Sequence, residues 1–230
     1  MTQIRVLSTL AVMGAMKELT QRYETETGVS IQADFSPTVA LLERLRAGEA
    51  ADIAILTAQG IDDMIAEGRM RPGSRTDIAL SFVGIAVKAG APKPDIATVE
   101  SFKDTLLAAR SVAYSRIGAS GIFFAGLLQR LGIAGQVKVL VVPSGFTAER
   151  LVSGEADLAV QQVSELLVVP GIEVVGKLPE EIGTVATFSG GLLTASAQPD
   201  AASALLRFLA SAGIAPVLRR TGLEPANFSG

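Results

Sequence analysis

The chain has 230 residues, 49% of them hydrophobic, and a formal net charge of −3 at pH 7. It contains no Cys and no His, which excludes disulfides, thiolate or imidazole metal sites and Ser-His-Asp catalysis, and we expect no metal and no cofactor. Lys and Arg are scattered rather than clustered, which argues against nucleic acid as a partner.

Apolar segments raise the question of a membrane span, since the mean hydropathy is +0.42. The run over 78–87 is about half of the roughly 20 residues that a span needs, so we predict a soluble protein without membrane insertion. The first residues show no basic region followed by an apolar one, as a secretory leader would. We therefore expect a periplasmic protein if a leader has been removed, and a cytoplasmic one otherwise.

Strands and helices alternate in the first part of the chain, which predicts an α/β fold with a mainly parallel sheet. The predicted elements are a strand over 4–7, a helix over about 11–27, a strand over 30–35, a helix from 38 to Gly48, a strand over 52–56, a helix to about 67 and a long strand over 78–87. Ser36 precedes Pro37 at the start of the second helix, a pattern typical of an N-terminal cap.

The second part of the chain repeats this scheme after a Pro-rich surface turn over 91–94. The predicted elements are a strand over 112–114, a helix through 131, a strand over 137–142, a helix near 148–152, a strand over 158–161, a short helix near 163–167, a strand over 172–175, an extended segment over 184–196 and a helix over about 199–210.

Two segments recur in order. Residues 4–8 are matched by 111–115, and residues 48–55 by 154–160, at offsets of 107 and 106. Matches at nearly one spacing predict a duplicated half rather than a solenoid of short repeats. We expect lobe I over 1–82 plus 189–230 and lobe II over 83–188, with a cleft between them and two extended hinge crossings.

Several features together resemble type II periplasmic binding proteins, and within them the molybdate-binding branch of the ABC transporter solute-binding proteins. These features are the order of elements, the two Gly-Glu-Ala segments, Ala15-Met16 at a helix start, the stretch over 41–48 and the turn Ser120-Gly121-Ile122. The resemblance covers essentially the whole chain. It implies a two-lobed α/β fold with two hinge crossings and an interlobe cleft, a small anionic ligand and, for an exported protein, an ABC transporter permease as partner.

That family binds a tetrahedral oxyanion with hydroxyls and backbone N–H groups at helix starts, where partial positive charge favours anions. Carried over one position at a time, the resemblance implies ligand contacts at Ala11 with Ser8 and Thr9 just before it, at Thr38, at Ser120 with Gly121, at Ser144, and at Gln162 in the place of a family Tyr.

Two of these positions lack the family's donors, because Ala11 replaces a Ser and Gln162 replaces the Tyr. Arg116, beside Ser115 at a strand end, is an addition that can hold a carboxylate with two hydrogen bonds. The ligand is therefore either a molybdate-like oxyanion or an organic carboxylate.

Each of these residues also has a purely structural interpretation. Ser36, Thr38 and Ser120 lie where helix caps are expected. Ser8 and Thr9 follow a strand, where a turn forms, and Arg116 can form a surface ion pair.

Two functions follow from the resemblance. The first is a solute-binding protein; the alternative is an aconitate isomerase, which moves a proton and a double bond in a tricarboxylate. Such chemistry needs an acid/base group, and the candidates are Tyr114, a Lys or a carboxylate of raised pKa. No motif marks one, which favours binding. A ligand-sensing module is weaker, because no DNA-binding segment is attached.

Overall fold

The computed structural model of the protein describes residues 2–226. These residues form two compact units. Unit 1 contains the residues up to Ser81 and those from Ala186 onward, and unit 2 contains Phe82–Val185. The chain therefore passes between the units twice. The lobes expected from the sequence, as functional halves, remain a proposal.

Helices and strands alternate along most of the chain. The strands are β1 (Gln3–Thr9), β2 (Ser30–Ser36), β3 (Ile53–Thr57), β4 (Thr76–Lys88), β5 (Val112–Ser115), β6 (Val139–Val142), β7 (Leu158–Gln162), β8 (Ile172–Lys177), β9 (Val185–Leu192) and β10 (Glu224–Pro225). The helices are α1 (Met13–Thr27), α2 (Thr38–Arg46), α3 (Ala58–Ala66), α4 (Val99–Ala108), α5 (Ala119–Arg130), α6 (Glu149–Val152), α7 (Val163–Leu166), α8 (Pro199–Leu209) and α9 (Ala215–Arg220).

Unit 1 is built on strands in the order β2-β1-β3-β9-β4. β1 pairs in parallel with β2 and β3, whereas β9 runs antiparallel to β3. Side chains alternate across β1, so Val6 belongs to the core under α1 and α8, and Leu7 belongs to the core under α2 and α3. Both faces of this sheet are therefore covered, as its nearly continuous apolar strands require.

Unit 2 repeats this arrangement. β5 pairs in parallel with β6 and β7, and the C-terminal part of β4 runs antiparallel to β7 and β8. Phe102 of α4 and Phe124 of α5 pack on one face of the sheet, and Leu151 of α6 and Leu166 of α7 pack on the other.

The internal repeat of the sequence recurs in hydrogen bonds from a backbone N–H to an Asp side chain. In unit 1 the N–H of Arg5 donates to the Asp52 carboxylate at 2.9 Å, and in unit 2 the N–H of Arg110 donates to the Asp157 carboxylate at 2.9 Å. Both pairs span 47 residues. Each carboxylate thus fixes the start of one strand against its parallel neighbour.

A second pair of contacts is repeated at the turns before β3 and β7. Arg44 binds Glu49 at 2.6 Å in unit 1, and Arg150 binds Glu155 at 2.9 Å in unit 2, each pair spanning five residues. Equivalent positions in the two units can therefore be compared directly.

Some elements differ from those that the sequence pattern predicts. α4 was not predicted, although a reciprocal cap between Thr98 and Ser101 begins it and Phe102 and Leu106 bury one face. β6 begins at Val139, two residues later than expected. A 3-10 turn over Leu10–Val12 precedes α1. α9 and β10 are further elements that the pattern did not predict.

Within residues 2–226, no single helix is long and apolar enough to cross a membrane. α8 and the segment Ala212–Arg220 pass that test only as a pair, bent by 60°. Their apolar side chains, including Leu205, Leu209 and Leu218, are buried in the core of unit 1.

Candidate anion-binding site

Three parallel strands of unit 2 end side by side. Ser115 of β5 pairs with Val142 of β6, and Tyr114 pairs with Val160 of β7. Residues Arg116, Ser144 and Gln162, which follow these pairs, therefore lie at one edge of the sheet. Open α/β sheets bind ligands at this edge, beyond the carboxyl ends of their strands.

The start of α5 packs tightly against the end of β5. The Ser115 hydroxyl accepts a hydrogen bond from the N–H of Gly118 at 2.9 Å. A side chain at Gly121 would bring its Cβ to 1.7 Å from the Ser115 carbonyl oxygen, so only glycine permits this approach. The sequence pattern placed Gly121 at the site, and the structure gives it this packing role.

Ser120, the second residue of α5, is buried without a hydrogen bond. It is 2% exposed, and its hydroxyl is the buried side-chain polar atom without a partner among the described residues. Leaving a buried hydroxyl unpaired costs about 1–3 kcal/mol. An unpaired group in a native structure calls for an explanation, and an external ligand supplies one.

The backbone at the same helix end offers further donors. The first N–H groups of a helix have no acceptor within it. The N–H of Gly121 donates to the Gly118 carbonyl at 3.1 Å, which leaves those of Ala119 and Ser120 without an acceptor in the described part of the chain. The positive end of the helix dipole adds to their attraction for an anion.

Arg116 follows β5 directly. Its N–H donates to the Val142 carbonyl at 2.8 Å, which extends the pairing with β6 by one residue. Its side chain is exposed and pairs with no carboxylate of residues 2–226. The surface ion pair considered from the sequence is therefore absent from this part of the chain, and the guanidinium is free to bind a carboxylate.

Ser144 and Gln162 differ in their surroundings. Ser144 is exposed in the turn after β6. Gln162 is 2% exposed and caps α7, where its side chain accepts the N–H of Glu165. On β7 it shares a face with Val160, whose side chain packs with α5.

A buried polar network centred on Gln161 lies beside Gln162. The Gln161 side-chain oxygen accepts from the N–H of Thr147 at 2.8 Å and from its hydroxyl at 2.9 Å, and the amide donates to Gly145 at 3.3 Å. Gln161 also bonds the carboxyl of Glu165, which is 6% exposed. Burial raises the pKa of Glu165 to about 7, opposed by its hydrogen bonds with Gln162 and Gln161. The spacing from Gln162 to Glu165 follows a capping box, but the sequence does not reveal the burial.

In unit 1, the residues after β1 form a local turn. The Ser8 hydroxyl donates to the Thr9 carbonyl at 3.2 Å, and the Thr9 hydroxyl accepts from the N–H of Ala11 at 3.4 Å. All three residues are buried. Thr9 thus caps the 3-10 turn, which is the turn-forming alternative considered for it.

The start of α2 corrects the predicted cap. Pro37 is the capping residue and no side chain bonds the helix start. The Ser36 hydroxyl instead accepts from Arg44 at 2.8 Å. Thr38 is the first residue of the helix, 9% exposed, and its hydroxyl has no partner among the described residues. Neither Thr38 nor Ser120 is a helix cap, since Gly118 holds that position in α5.

Comparison with solved structures identifies the fold. A periplasmic molybdate-binding protein from Azotobacter vinelandii superposes with a TM-score of 0.79 at 14% identity, covering 96% of this chain and 98% of that chain. The sulfate-binding protein SubI from Mycobacterium tuberculosis superposes with a TM-score of 0.75 at 14% identity, covering 99% and 88%. The chain therefore has the α/β fold of the two-lobed periplasmic binding proteins.

Comparison of sequences gives the family. The family model described as bacterial extracellular solute-binding protein matches residues 4–224. An aconitate isomerase from Pseudomonas sp is 37% identical over 232 residues, which cover 97% of this chain and 88% of that protein. The chain belongs to the bacterial extracellular solute-binding proteins.

Proposed function

We propose that this protein binds a small organic carboxylate at the carboxyl edge of the unit 2 sheet. The observation that carries the proposal is the buried, unbonded hydroxyl of Ser120 beside the N–H groups that begin α5. A carboxylate oxygen would accept from this hydroxyl and from those N–H groups. It would thereby remove the cost of leaving the hydroxyl unpaired.

Arg116 supports a carboxylate ligand, because the family's tetrahedral-oxyanion sites use neutral hydroxyl and backbone N–H donors and need no guanidinium. An unpaired guanidinium forms two parallel hydrogen bonds with a carboxylate, and a ligand with two or three carboxylates can reach Ser120 and Arg116 together. Thr38, Ser8, Thr9, Ala11, Ser144 and Gln162 are proposed as further ligand contacts on the basis of the family resemblance.

The family match supports a role in uptake. As one of the extracellular solute-binding proteins, the chain would work outside the cytoplasm and deliver its ligand to an ABC transporter permease. Fractionation of the native organism, followed by detection of this chain, tests the compartment. Recovery in the cytoplasmic fraction alone would contradict the transport role.

Calorimetric titration of the purified protein tests the ligand class. Citrate, cis-aconitate, molybdate and sulfate are titrated separately at one ionic strength. We expect binding of the tricarboxylates and little or none of the two inorganic anions. Tight binding of molybdate alone would favour the oxyanion carrier instead.

The relative named aconitate isomerase favours a second candidate function, isomerisation of aconitate, because its 37% identity extends over nearly the whole chain. Incubation with cis-aconitate, followed by chromatography for the trans isomer, tests this function. If the protein binds cis-aconitate without forming the trans isomer, it is a carrier and not an isomerase.

A further inference from the structure

Glu165 is a buried carboxyl group without a countercharge. It is 6% exposed and accepts the N–H of Gln162 at 3.4 Å, together with a hydrogen bond from Gln161. No Lys or Arg of the described residues forms an ion pair with it. A buried carboxyl in such a setting favours its neutral form.

The charged groups of the packed elements face other partners or solvent. On β8, Glu173 pairs with Lys93 at 3.2 Å, and Lys177 lies over the ring of Phe82 at 3.5 Å from its centroid. On α6, Glu149 is exposed. The ionisation of Glu165 is therefore governed by its burial and by Gln161 and Gln162.

The internal repeat shows that the fold does not require a carboxyl here. Thr57 caps α3 by accepting the N–H of Gly60 at 3.2 Å, just as Gln162 caps α7 by accepting the N–H of Glu165. Gln162 lies 105 positions after Thr57, and Glu165 lies 105 positions after Gly60. Unit 1 completes the same strand-to-helix turn with glycine, so the Glu165 carboxyl is an addition to the architecture.

The carboxyl lies at the sheet edge that carries the proposed site. Glu165 is the third residue of α7, and its side chain folds back to the N–H of Gln162 at the carboxyl end of β7. β7 is the direct neighbour of β5, which ends at Ser115 and leads into Arg116. Neighbouring strands are about 4.8 Å apart, so the strand end that carries Glu165 lies one strand away from the strand end that carries Arg116.

Isomerisation of aconitate needs a group that accepts a proton from one carbon and returns it to another. The candidate must be buried, because exclusion of water keeps the proton from exchanging away, and must change charge near neutral pH. Tyr114, considered from the sequence, is partly buried, and its ring packs against that of Phe124 with centroids 5.4 Å apart. Glu165 is the buried carboxyl of unit 2 among the described residues, and it meets the requirement.

We infer that Glu165 is the catalytic base that transfers the proton in aconitate isomerisation by this protein. The carboxylate takes a proton from the substrate methylene, and the electrons of that C–H bond form the new double bond. The electrons of the old double bond take the proton back at the far carbon. Glu165 begins and ends as a carboxylate, and no oxidant or reductant is needed. The inference rests on the proposed isomerase function.

The experiment compares wild type with Glu165→Gln, Glu165→Asp and the control Glu181→Gln, an exposed carboxylate of unit 2. Turnover of cis-aconitate is followed by chromatography from pH 5.5 to 8.5. Affinity is measured by calorimetry with tricarballylate, a saturated analogue that has no double bond to move.

We expect Glu165→Gln to lower kcat at least 100-fold while the Kd for tricarballylate changes less than threefold. Wild-type kcat should rise with pH through about 7, because the base must be ionised to accept a proton. Glu165→Asp should retain a measurable kcat, and the pH at which its kcat rises should differ from that of wild type. Glu181→Gln should match wild type. If Glu165→Gln fails to fold, the pH dependence of kcat in Glu165→Asp provides the test.

Four outcomes would overturn the inference. If Glu165→Gln keeps kcat within threefold, another group moves the proton and the isomerase function stands. If it loses tricarballylate binding together with kcat, or if wild-type kcat shows no limb near pH 7, the role of Glu165 is structural. If the wild type binds tricarballylate but does not isomerise aconitate, the isomerase function itself fails.

Discussion

Ser120 differs in its hydrogen bonding from two other serines near the strand ends, Ser36 and Ser115. Ser115 bonds the N–H of Gly118, and Ser36 bonds Arg44, so both serve the fold. Ser120 is as buried as Ser115, at 2% exposed, but its hydroxyl is unbonded, and an unpaired buried hydroxyl destabilises the protein without its ligand. A residue selected for binding rather than for stability is expected to show this combination.

Substitution of Ser120 by Ala should separate these two roles. We expect weaker binding of citrate, by about 1–2 kcal/mol, because one donor is lost. The free energy of unfolding should stay unchanged or rise by about 1 kcal/mol, because an unpaired buried hydroxyl is removed. Calorimetry and urea unfolding measure the two quantities.

The matched control is Ser101→Ala in α4. Ser101 closes a cap by accepting the N–H of Thr98 at 3.0 Å, so this variant should lose about 1 kcal/mol of stability with unchanged binding. A loss of stability in Ser120→Ala would indicate a structural hydroxyl and contradict the binding role.

Substitution of Arg116 by Ala tests the ligand class. We expect the affinity for citrate or cis-aconitate to fall by about 1.5–3 kcal/mol, the range for a charged hydrogen bond, with little change for molybdate or sulfate. Lys138→Ala removes an exposed cation of unit 2 at the opposite end of β6 and should leave binding unchanged. Equal losses for both variants would point to general charge attraction.

At the scale of elements, the contact between α5 and β5 fixes the donors of the site. α5 begins where it does because Gly118 bonds Ser115 and because Gly121 allows the helix to approach the strand end. The buried positions of α5, among them Phe124 and Leu128, hold the rest of the helix on the sheet. Displacement of this helix would move Ser120 and the adjacent N–H groups together.

Two glycines of α5 provide a direct test of this contact. In Gly121→Ala the new methyl group would overlap the Ser115 carbonyl, and we expect a loss of about 3 kcal/mol in stability together with weaker binding. In Gly126→Ala the new methyl group meets nothing closer than Arg130 at 3.7 Å, so stability should rise by about 0.5–1 kcal/mol. Denaturant unfolding measures both changes, and similar behaviour of the two variants would contradict the proposed contact.

At the scale of the whole molecule, the stability of the protein should depend on the ionisation of Glu165. The pKa of this carboxyl is raised from 4.5 to about 7 in the folded state. The folded state therefore binds more protons than the unfolded state between these values, and stability falls as pH rises through them. One pKa unit corresponds to about 1.4 kcal/mol, which gives a loss on the order of 3 kcal/mol.

Urea unfolding of wild type and Glu165→Gln at pH 4.5 and pH 8 measures this dependence. The variant lacks the titrating group. The free energy of unfolding of wild type minus that of the variant should therefore be lower at pH 8 than at pH 4.5. The comparison also removes contributions from other carboxyls, such as Asp157, whose pKa is lowered by Arg110. If the difference in the free energy of unfolding between the two proteins is the same at both pH values, Glu165 stays in one ionisation state.

The α/β class and the order of most elements follow from the amino-acid sequence alone, because apolar periodicity and chain reversals are local properties. The family resemblance drawn from the sequence is confirmed by the family model and by the superposed structures. α4 has local signals of the same kind, since Thr98 and Ser101 form its cap and Phe102 and Leu106 have helical spacing.

Which polar side chains lack a hydrogen-bond partner is visible only in the folded protein. Ser36, Ser115 and Ser120 are alike as hydroxyls beside helix starts, but Ser36 accepts from Arg44, Ser115 accepts from the N–H of Gly118, and Ser120 bonds no described group. The burial of Glu165 likewise depends on α6 and α7 closing over β7. The raised pKa of Glu165 and the unpaired hydroxyl of Ser120 both depend on packing, because packing sets the burial and the hydrogen bonding of each group.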